Sequence, residues 1–394
     1  MVARIIIPLL LAILLPQIYI DRHFLVRRWH LSWRKRILCW LPAFAVAAYS
    51  VGMACIRDFV PDNNLWIELF FILLTWVVLP IFLFVLCSCA GWLWCIVSRS
   101  HRHRNWGNII GPFVSLLGIG FFFYGFTFGE AKLSVRHVHL YLDDLPKAFD
   151  GYRITQFSDF HVGTYRGWRY KILTRDIDSI NAQGSDMIVF TGDLQNVRPQ
   201  ELTAFRRELS SLRAKDGVYS VLGNHDYSLY QKGENEMVKQ YNERLTRELQ
   251  QQFGWNLLID SSAIVRRDND SIVIIGTHND GEAPFPQLID IRKAMAGVDR
   301  RSFVVMLQHD PSAWDRTILP HTNVRITLSG HTHAGQINIL GLRPTMLTYK
   351  EDYGLFEKAG RYLYVSAGLG GVVPIRVGAV PEIVVFTLHR KSSQ

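Results

Sequence analysis

The sequence predicts an all-α transmembrane domain followed by a layered α/β domain. Its 394 residues exceed what a single hydrophobic core usually holds. The long apolar runs lie before residue 129, whereas short β-branched runs alternate with polar stretches of helical length from about Leu133 onward. That alternation is typical of sheets with helices packed against them. We therefore place a transmembrane domain at residues 1–129 and a second domain at residues 130–394.

The transmembrane domain has about four predicted helices. The apolar stretches lie near residues 5–20, 37–56, 69–97 and 109–128. The last three reach the roughly 20 residues that span a hydrocarbon core. The first is shorter, holds Pro8 and Pro16, and is either a signal peptide or a retained helix. Since it lacks a convincing small-residue cleavage site and most of the positive charge follows it, we expect a retained helix.

The basic residues of the short loops predict the orientation. Loop one carries six of them: Arg22, Arg27, Arg28, Arg34, Lys35 and Arg36. Loop three carries Arg99, Arg102 and Arg104, whereas loop two, from Arg57 to Trp66, carries one. Positively charged short loops stay in the cytoplasm. We therefore expect a multi-pass protein of the cytoplasmic membrane with its second domain outside the cytoplasm.

Charge and cysteine usage exclude two function classes. The formal charge of +9 divides into 11 Lys and Arg against 4 Asp and Glu in residues 1–129, and 32 against 30 in the remainder. No nucleic-acid partner is expected, because the basic excess belongs to the membrane domain. All five cysteines precede residue 100 and lack nearby His at metal-ligand spacing. A Cys-rich zinc site and a disulfide framework are therefore not expected in the second domain.

Buried strands are predicted in the second domain, with helices between them. The strands are Met187 to Phe190, Val218 to Leu222, Ile272 to Ile275, Phe303 to Leu307 and Val324 to Leu328. The stretches from Gln200 to Arg213 and from Glu234 to Phe253 are expected to be helical.

Clusters of potential metal ligands follow the strands of this domain. They are Ser158-Asp159-Phe160-His161, Thr191-Gly192-Asp193, Gly223-Asn224-His225-Asp226, Gln308-His309-Asp310 and Ser329-Gly330-His331-Thr332-His333. On extended backbone, residues i and i+2 point the same way, so Asp159 with His161, and His331 with His333, can face one place. A single carboxylate after a strand is more often a helix cap or turn former. Five such clusters in series instead predict a metal site.

The order Asp-x-His, Gly-Asp, Gly-Asn-His-Asp, His, Gly-His-x-His resembles the calcineurin-like metallophosphoesterase superfamily over about residues 133–390. Flanking segments are similar to its bacterial membrane-associated branch: Leu145-Pro146, Gly217-Val218-Tyr219, Gly335-Gln336, Gly368-Leu369-Gly370-Gly371 and Pro374-Ile375-Arg376. Asn196 and Ala334 depart from the family pattern, where Asp and Gly are common. The resemblance implies two packed β-sheets flanked by helices, an αββα sandwich.

The resemblance also implies two divalent metal ions and their ligands. One ion is held by Asp159, His161 and His333, the other by Asn224, His309 and His331, with Asp193 bridging. Oxygen and imidazole donors without thiolate suit Mn, Fe, Zn or Co. Such a pair supports in-line attack on phosphorus by a metal-bridging hydroxide.

Further residues are expected near the reacting groups. His225 is the expected general acid, with Asp226 or another carboxylate orienting its second ring nitrogen. Substrate-proximal positions are Asn196, His278, Asp280 and Arg376. Specificity is expected from the loops at the strand ends, such as Thr164 to Lys171 and Leu340 to Tyr353.

The expected function is hydrolysis of phosphomono- or phosphodiesters by a domain anchored in the bacterial cytoplasmic membrane. The expected partners are membrane lipids and a phosphorylated small-molecule or lipid substrate, the latter from the membrane or envelope. One alternative is the UDP-diacylglucosamine pyrophosphate hydrolase of lipid A synthesis, whose cytoplasmic substrate conflicts with the predicted orientation. Another is a non-catalytic membrane sensor or scaffold, against which the complete ligand set argues.

Overall fold

The computed structural model describes residues 2–61, 63–98 and 105–391. The chain divides into two compact units, Met1–Thr127 and Phe128–Gln394. Arg99, Arg102 and Arg104, which contribute the charge of loop three, lie outside the described residues.

The first unit is helical. Its α-helices are α1 (Ile6–Ile20), α2 (Trp33–Ala54), α3 (Asn64–Leu73), α4 (Leu79–Val97) and α5 (Gly107–Tyr124). Wider π-helical turns extend α1 and α5 and join α3 to α4. The resulting apolar helices, Val2–Val26, Trp33–Ala54, Asn64–Val97 and Gly107–Gly129, are long enough to cross a membrane. The prediction of about four apolar helices of membrane-spanning length is therefore confirmed.

Polar contacts tie the first helix to its neighbours. Gln17 on α1 donates to the Cys39 carbonyl at 3.1 Å. Just beyond α1, the Asp21 carboxylate accepts two hydrogen bonds from Arg36, at 2.8 and 2.5 Å. Among side chains that otherwise face lipid, such bonds fix how helices pack. The shortest of the predicted apolar stretches is thus an integral part of this helical unit.

The second unit contains two six-stranded sheets. Sheet one has the order β1-β12-β2-β3-β4-β5 and sheet two β10-β11-β9-β8-β7-β6. The strands are β1 (Ser134–Leu142), β2 (Arg153–Phe157), β3 (Met187–Phe190), β4 (Val218–Ser220), β5 (Asn256–Leu257), β6 (Ser261–Arg267), β7 (Asp270–Gly276), β8 (Val304–Leu307), β9 (Ile326–Ser329), β10 (Gly354–Lys358), β11 (Arg361–Val365) and β12 (Glu382–Arg390). The helices are α6 (Tyr170–Ala182), α7 (Gln200–Thr203), α8 (Arg206–Leu209), α9 (Glu236–Gln252), α10 (Ile291–Ala294) and α11 (Leu319–His321).

The sheets pack face to face, with helices outside. The central core joins Val189 and Phe386 of sheet one to Ile274 and Val305 of sheet two. A second apolar cluster lies between sheet one and helices α6 and α9, and a third lies on the outer face of sheet two. The fold is therefore the predicted αββα sandwich, since each sheet buries both faces.

Strand direction gathers several strand ends at one edge of the sandwich, here called the ligand edge. Strands β2, β3 and β4 run parallel, as do β7, β8 and β9. Their carboxyl ends therefore meet at the same edge of each sheet. Strand β12 is antiparallel to β2 and parallel to β1, so both β1 and β12 begin at the ligand edge.

One predicted helix is wrong in extent. The stretch from Gln200 to Arg213 forms two short helices, α7 and α8, instead of one. The chain leaves helical geometry at Phe205, whose φ is −118°, and the ring of Phe205 is buried in the cluster beneath. Burial of this ring therefore outweighs continuation of the helix.

Candidate metal centre

The expected ligands lie on tight turns at the ligand edge. The backbone there takes positive φ at Asp159 (50°), His161 (49°), Asp193 (62°), His331 (74°) and His333 (53°). The extended backbone from which the i and i+2 pairing was predicted is therefore absent at these residues, although the side chains do converge. Left-handed conformations at non-glycine residues are costly and concentrate at functional sites.

The carboxylate of Asp193 lies at the middle of the site. Its Oδ2 is 3.2 Å from His309 Nε2 and 3.7 Å from His161 Nε2. Its Oδ1 accepts a 2.8 Å hydrogen bond from the backbone N–H of His225. One carboxylate thus faces two histidines that come from different sheets.

On one side of Asp193, a group is formed by Asp159, His161 and His333. The ligand atoms of these three side chains lie within 4.8 Å of one another. His333 Nε2 is 3.4 Å from Asp159 Oδ1, and the His161 and His333 rings stack at 5.2 Å. The Asp159 carboxylate is fixed by the backbone N–H of His331, 3.0 Å from both oxygens.

On the other side, Asn224, His309 and His331 converge. Asn224 Oδ1 is 3.1 Å from His309 Nε2 and 2.8 Å from His331 Nδ1. His309 Nδ1 lies 2.7 Å from the Thr191 carbonyl, to which it must donate. In neutral His309 the Nε2 lone pair therefore faces the oxygens of Asn224 and Asp193. These electron-rich atoms repel one another unless a cation lies between them.

The residues fit divalent ions. His161 is fully buried, yet neither of its ring nitrogens has a hydrogen-bond partner within the described residues. Leaving buried polar atoms unpaired is costly and needs an explanation. Binding of a metal ion by the imidazole would explain these unpaired nitrogens. Oxygen and imidazole donors without thiolate suit Mn, Fe, Zn or Co.

Electrostatics in the site centre on Asp193. Burial alone would raise its pKa, but His309 and His225 hold the pKa of this carboxyl well below its ordinary value. Burial opposes a charged His309, yet Asp193 raises the pKa of His309 to about 10. The buried carboxylate of Asp193 is therefore stabilised by a positive charge beside it, which a protonated imidazole or a metal ion can supply.

The sequence comparisons agree with this geometry. A family model described as calcineurin-like phosphoesterase matches residues 152–335. The uncharacterized metallophosphoesterase YkuE of Bacillus subtilis is 30% identical over 250 residues, covering 62% of this chain and 81% of YkuE. This chain belongs to the calcineurin-like metallophosphoesterases.

Other similar proteins match different shares of the chain. A transmembrane protein with metallophosphoesterase domain from Danio rerio is 28% identical over 377 residues, 89% of this chain and 81% of that protein. The match to the crystal structure of TT1561 of Thermus thermophilus covers 55% of this chain and 90% of the TT1561 chain, with 12% sequence identity and a TM-score of 0.35. Metallophosphoesterases hydrolyse phosphoric esters, so this chain is an enzyme of that class.

His225 of this metallophosphoesterase lies beside His161 and Asp193, but Asp226 does not orient it as expected. The ring Nδ1 of His225 lies 2.5 Å from the Asn196 carbonyl. The Asp226 carboxylate instead accepts the backbone N–H groups of Asp193, Leu194, Gln195 and Gly223 at 2.9 to 3.2 Å. Asp226 therefore holds the turn that carries Asp193 against the turn that carries Asn224.

Two expected substrate contacts are occupied by protein partners. Asp280 is buried and bonds to Arg316 at 2.7 Å and to Thr317 at 2.5 Å. Arg376 is buried and donates to the carbonyls of His333, Ala367 and Gly370. Both side chains therefore stabilise loops beside the site.

The other two expected substrate-proximal residues, Asn196 and His278, differ in the hydrogen bonding of their side chains. The Asn196 side chain is buried, and neither of its amide atoms has a hydrogen-bond partner in the described part of the chain. His278 Nδ1 bonds to the Tyr227 hydroxyl at 3.0 Å. Of the two, Asn196 is the one held directly beside His225, through its backbone carbonyl.

Two tyrosines at the site were not predicted from the sequence. Asn224 Nδ2 donates to the Tyr230 hydroxyl at 2.7 Å, and the Tyr349 hydroxyl lies 2.7 Å from His331 Nε2. Tyr349 does lie in a loop that was expected to set specificity. No spacing rule, however, distinguishes it from Tyr353, the other aromatic residue of that loop.

Proposed function

We propose that this metallophosphoesterase binds two divalent metal ions and hydrolyses phosphomono- or phosphodiesters at a membrane surface. The observation that carries the proposal is the position of Asp193 between His161 and His309. These histidines belong to separate ligand groups, and a carboxylate with two oxygens can span two ions about 3.5 to 4 Å apart. Asp193 is therefore proposed to be the ligand that both ions share.

The ligand groups on either side of Asp193 hold one ion each in this proposal. Asp159, His161 and His333 hold the first, and Asn224, His309 and His331 hold the second. When bound, such ions acidify water and neutralise phosphoryl charge. The Nδ1 atoms of His309 and His333 donate to the carbonyls of Thr191 and Gly370, and this directs the Nε2 atoms of both rings into the site.

His225 is proposed to protonate the leaving group. Its Nδ1 is held by the Asn196 carbonyl in either protonation state, so the proton that it transfers is carried on Nε2. Burial lowers the pKa of His225, which favours release of that proton. The ring lies against His161, with centroids 4.8 Å apart, which places His225 beside the reacting centre.

Anchoring supports a substrate that resides at the membrane. Four apolar helices precede the hydrolase unit, and the similarity to the Danio rerio transmembrane protein extends over 89% of this chain. We propose that the substrate is a lipid or an envelope-derived phosphoester. The basic residues of loop one and the single Arg57 of loop two support placement of the hydrolase unit outside the cytoplasm.

The proposal is tested with the purified full-length chain. The protein is stripped with a chelator and reloaded with Mn, Fe, Zn or Co. It is then assayed on nitrophenyl phosphate, bis-nitrophenyl phosphate, phospholipids and nucleotide-sugar pyrophosphates. Metal-restored hydrolysis of a mono- or diester is the expected result. Hydrolysis of the pyrophosphates alone would instead favour the nucleotide-linked alternative.

A further inference from the structure

A strongly apolar loop projects from the hydrolase unit. It comprises residues 338–348, here called the apolar loop, and its exposed large side chains are Ile339, Leu340, Leu342, Met346 and Leu347. The side chain of Leu340 is 100% exposed and that of Leu347 is 90% exposed. Clustered apolar groups of this kind mark a binding surface, whereas single exposed apolar residues do not.

The tip of the apolar loop is an ordered turn. The backbones of Ile339 and Leu342 exchange two hydrogen bonds, at 3.0 and 2.9 Å. Between them, Leu340 and Gly341 take φ values of +51° and +90°. Left-handed geometry is natural for Gly341 but costly for Leu340. The turn therefore holds a leucine in strained backbone with its side chain in full contact with solvent.

The apolar loop packs beside the candidate metal centre. At its start, the Asn338 N–H donates to the Val377 carbonyl at 2.7 Å. Near its middle, Pro344 packs so closely on Gly335 that a Cβ at Gly335 would lie 2.8 Å from Pro344 Cδ. Directly after it, the Tyr349 hydroxyl contacts His331. Whatever binds the apolar loop is therefore next to the expected ligands.

The chain enters the hydrolase unit at the same edge. Ser134, the first residue of β1, pairs with Glu382 and donates to the Pro381 carbonyl at 2.9 Å. The backbone N–H of Glu382 in turn donates to the Gly368 carbonyl at 3.1 Å, and Gly368 packs against Asp159. The last apolar helix ends at Gly129, five residues before Ser134. An extended chain of that length spans at most about 18 Å.

We propose that the apolar loop inserts into the surface of the bilayer that anchors the chain, and that the adjacent site acts on the headgroup phosphoester of a lipid in that bilayer. The second part rests on the proposed function. The bilayer is the occupant that the observations favour, because the same chain carries the apolar helices and its short connection from them enters the hydrolase unit at this edge. Insertion removes the leucine side chains from water and leaves the phosphoester at headgroup depth beside the ligands.

Site-directed fluorescence tests insertion without reference to activity. A variant lacking the native cysteines carries Leu340→Cys with a small environment-sensitive fluorophore, and the full chain is reconstituted in vesicles of phosphatidylethanolamine and phosphatidylglycerol. The matched control is Ile264→Cys, a 53% exposed position on the outer strand β6. Quenching by a nitroxide-labelled acyl chain is expected at position 340 and not at position 264.

Other occupants give different results in the same measurement. Quenching at position 340 by aqueous iodide alone would show a loop in water and would overturn the proposal. Protection from both quenchers would show a protein partner, such as a second copy of this chain, and would also overturn it. None of these outcomes depends on whether the enzyme turns over a substrate.

A kinetic comparison tests the link to a lipid substrate. Leu340→Ser with Leu347→Ser should lower kcat/KM for a phospholipid in vesicles at least about tenfold, since apolar burial is lost. The same variant should hydrolyse soluble bis-nitrophenyl phosphate at the wild-type rate, and Ile264→Ser should change neither activity. Equal loss on both substrates would overturn the substrate assignment, whereas inactivity of the wild type on every ester would instead refute the proposed function.

Discussion

The phenol oxygen of Tyr349 lies 2.7 Å from Nε2 of His331. The other ring nitrogen of His331, Nδ1, faces Asn224 Oδ1 at 2.8 Å. The hydroxyl thus fixes the far side of an expected metal ligand, a contact that orients the ring and its tautomer.

Tyr349→Phe removes this hydroxyl and keeps the ring. We expect the metal affinity of the group containing His331 to fall about 10- to 100-fold, because the orienting hydrogen bond is lost. Turnover at saturating metal should stay close to wild type. Metal titration followed by calorimetry and by activity measures both quantities. Tyr353→Phe is the control, since the Tyr353 hydroxyl donates to Glu382 at 3.1 Å. Unchanged metal affinity in Tyr349→Phe would refute the positioning role.

His225→Ala should affect substrates according to their leaving group. A general acid matters for an alkyl leaving group, and its loss should lower turnover of an alkyl phosphodiester about 10²- to 10⁴-fold. Nitrophenolate needs little protonation, so nitrophenyl esters should lose far less. Steady-state kinetics on a matched ester pair give the comparison, with the exposed His321→Ala as the control. An equal loss on both esters in His225→Ala would indicate metal binding or charge stabilisation instead.

Asp176 predicts a pH-dependent stability. Burial raises the pKa of this helix α6 carboxyl to about 6, although Arg175 opposes the shift. The folded chain therefore keeps a proton that the unfolded chain has lost, and stability falls as pH rises from about 4 to 6. Asp176→Asn should be more stable than wild type at pH 8, by up to about 3 kcal/mol, and this gain should vanish near pH 4.

Unfolding of the full chain in detergent, followed by tryptophan fluorescence across pH, measures this difference. Asp178→Asn is the control, because Asp178 is exposed on the same helix. A gain in Asp176→Asn that is the same at every pH would contradict the assignment of the effect to ionisation of Asp176.

Membrane orientation is tested by cysteine labelling in intact cells. Gln394→Cys in a cysteine-free background should react with an impermeant maleimide, because the basic loop one favours an extracytoplasmic hydrolase unit. Trp29→Cys, in loop one, should react only after the inner membrane is broken. If Gln394→Cys behaved like Trp29→Cys, the hydrolase unit would be cytoplasmic. The alternative of a nucleotide-linked substrate would then gain support.

The strand-end clusters could be recognised from the sequence because parallel strands bring their carboxyl ends to one edge. Asp193 follows β3 in sheet one and His309 follows β8 in sheet two, so this rule places each residue at the carboxyl edge of its own sheet. Their relative position inside the site, 3.2 Å apart, required the structure. The spans were equally accessible to sequence reasoning, since length and apolarity define them.

Contacts that depend on loop paths could not be predicted. The Asn196 carbonyl reaches His225 because two turns are held together by Asp226, and no periodicity encodes that approach. Tyr349 reaches His331 across an intervening loop for the same reason. The break in the helix expected from Gln200 to Arg213 depended on burial of Phe205, a tertiary effect that overrides local propensity.

The most direct test of the two-ion proposal is the metal content and turnover of Asp193→Asn. The wild-type chain should bind two divalent ions, whereas the variant should hold fewer and lose several orders of magnitude in kcat/KM, because the shared carboxylate organises both ions. Mass spectrometry of the metals and ester kinetics on the same metal-reloaded, folded samples provide the measurement. A metal-replete Asp193→Asn variant with near-wild-type turnover, or a fully active wild type holding one ion, would contradict the account.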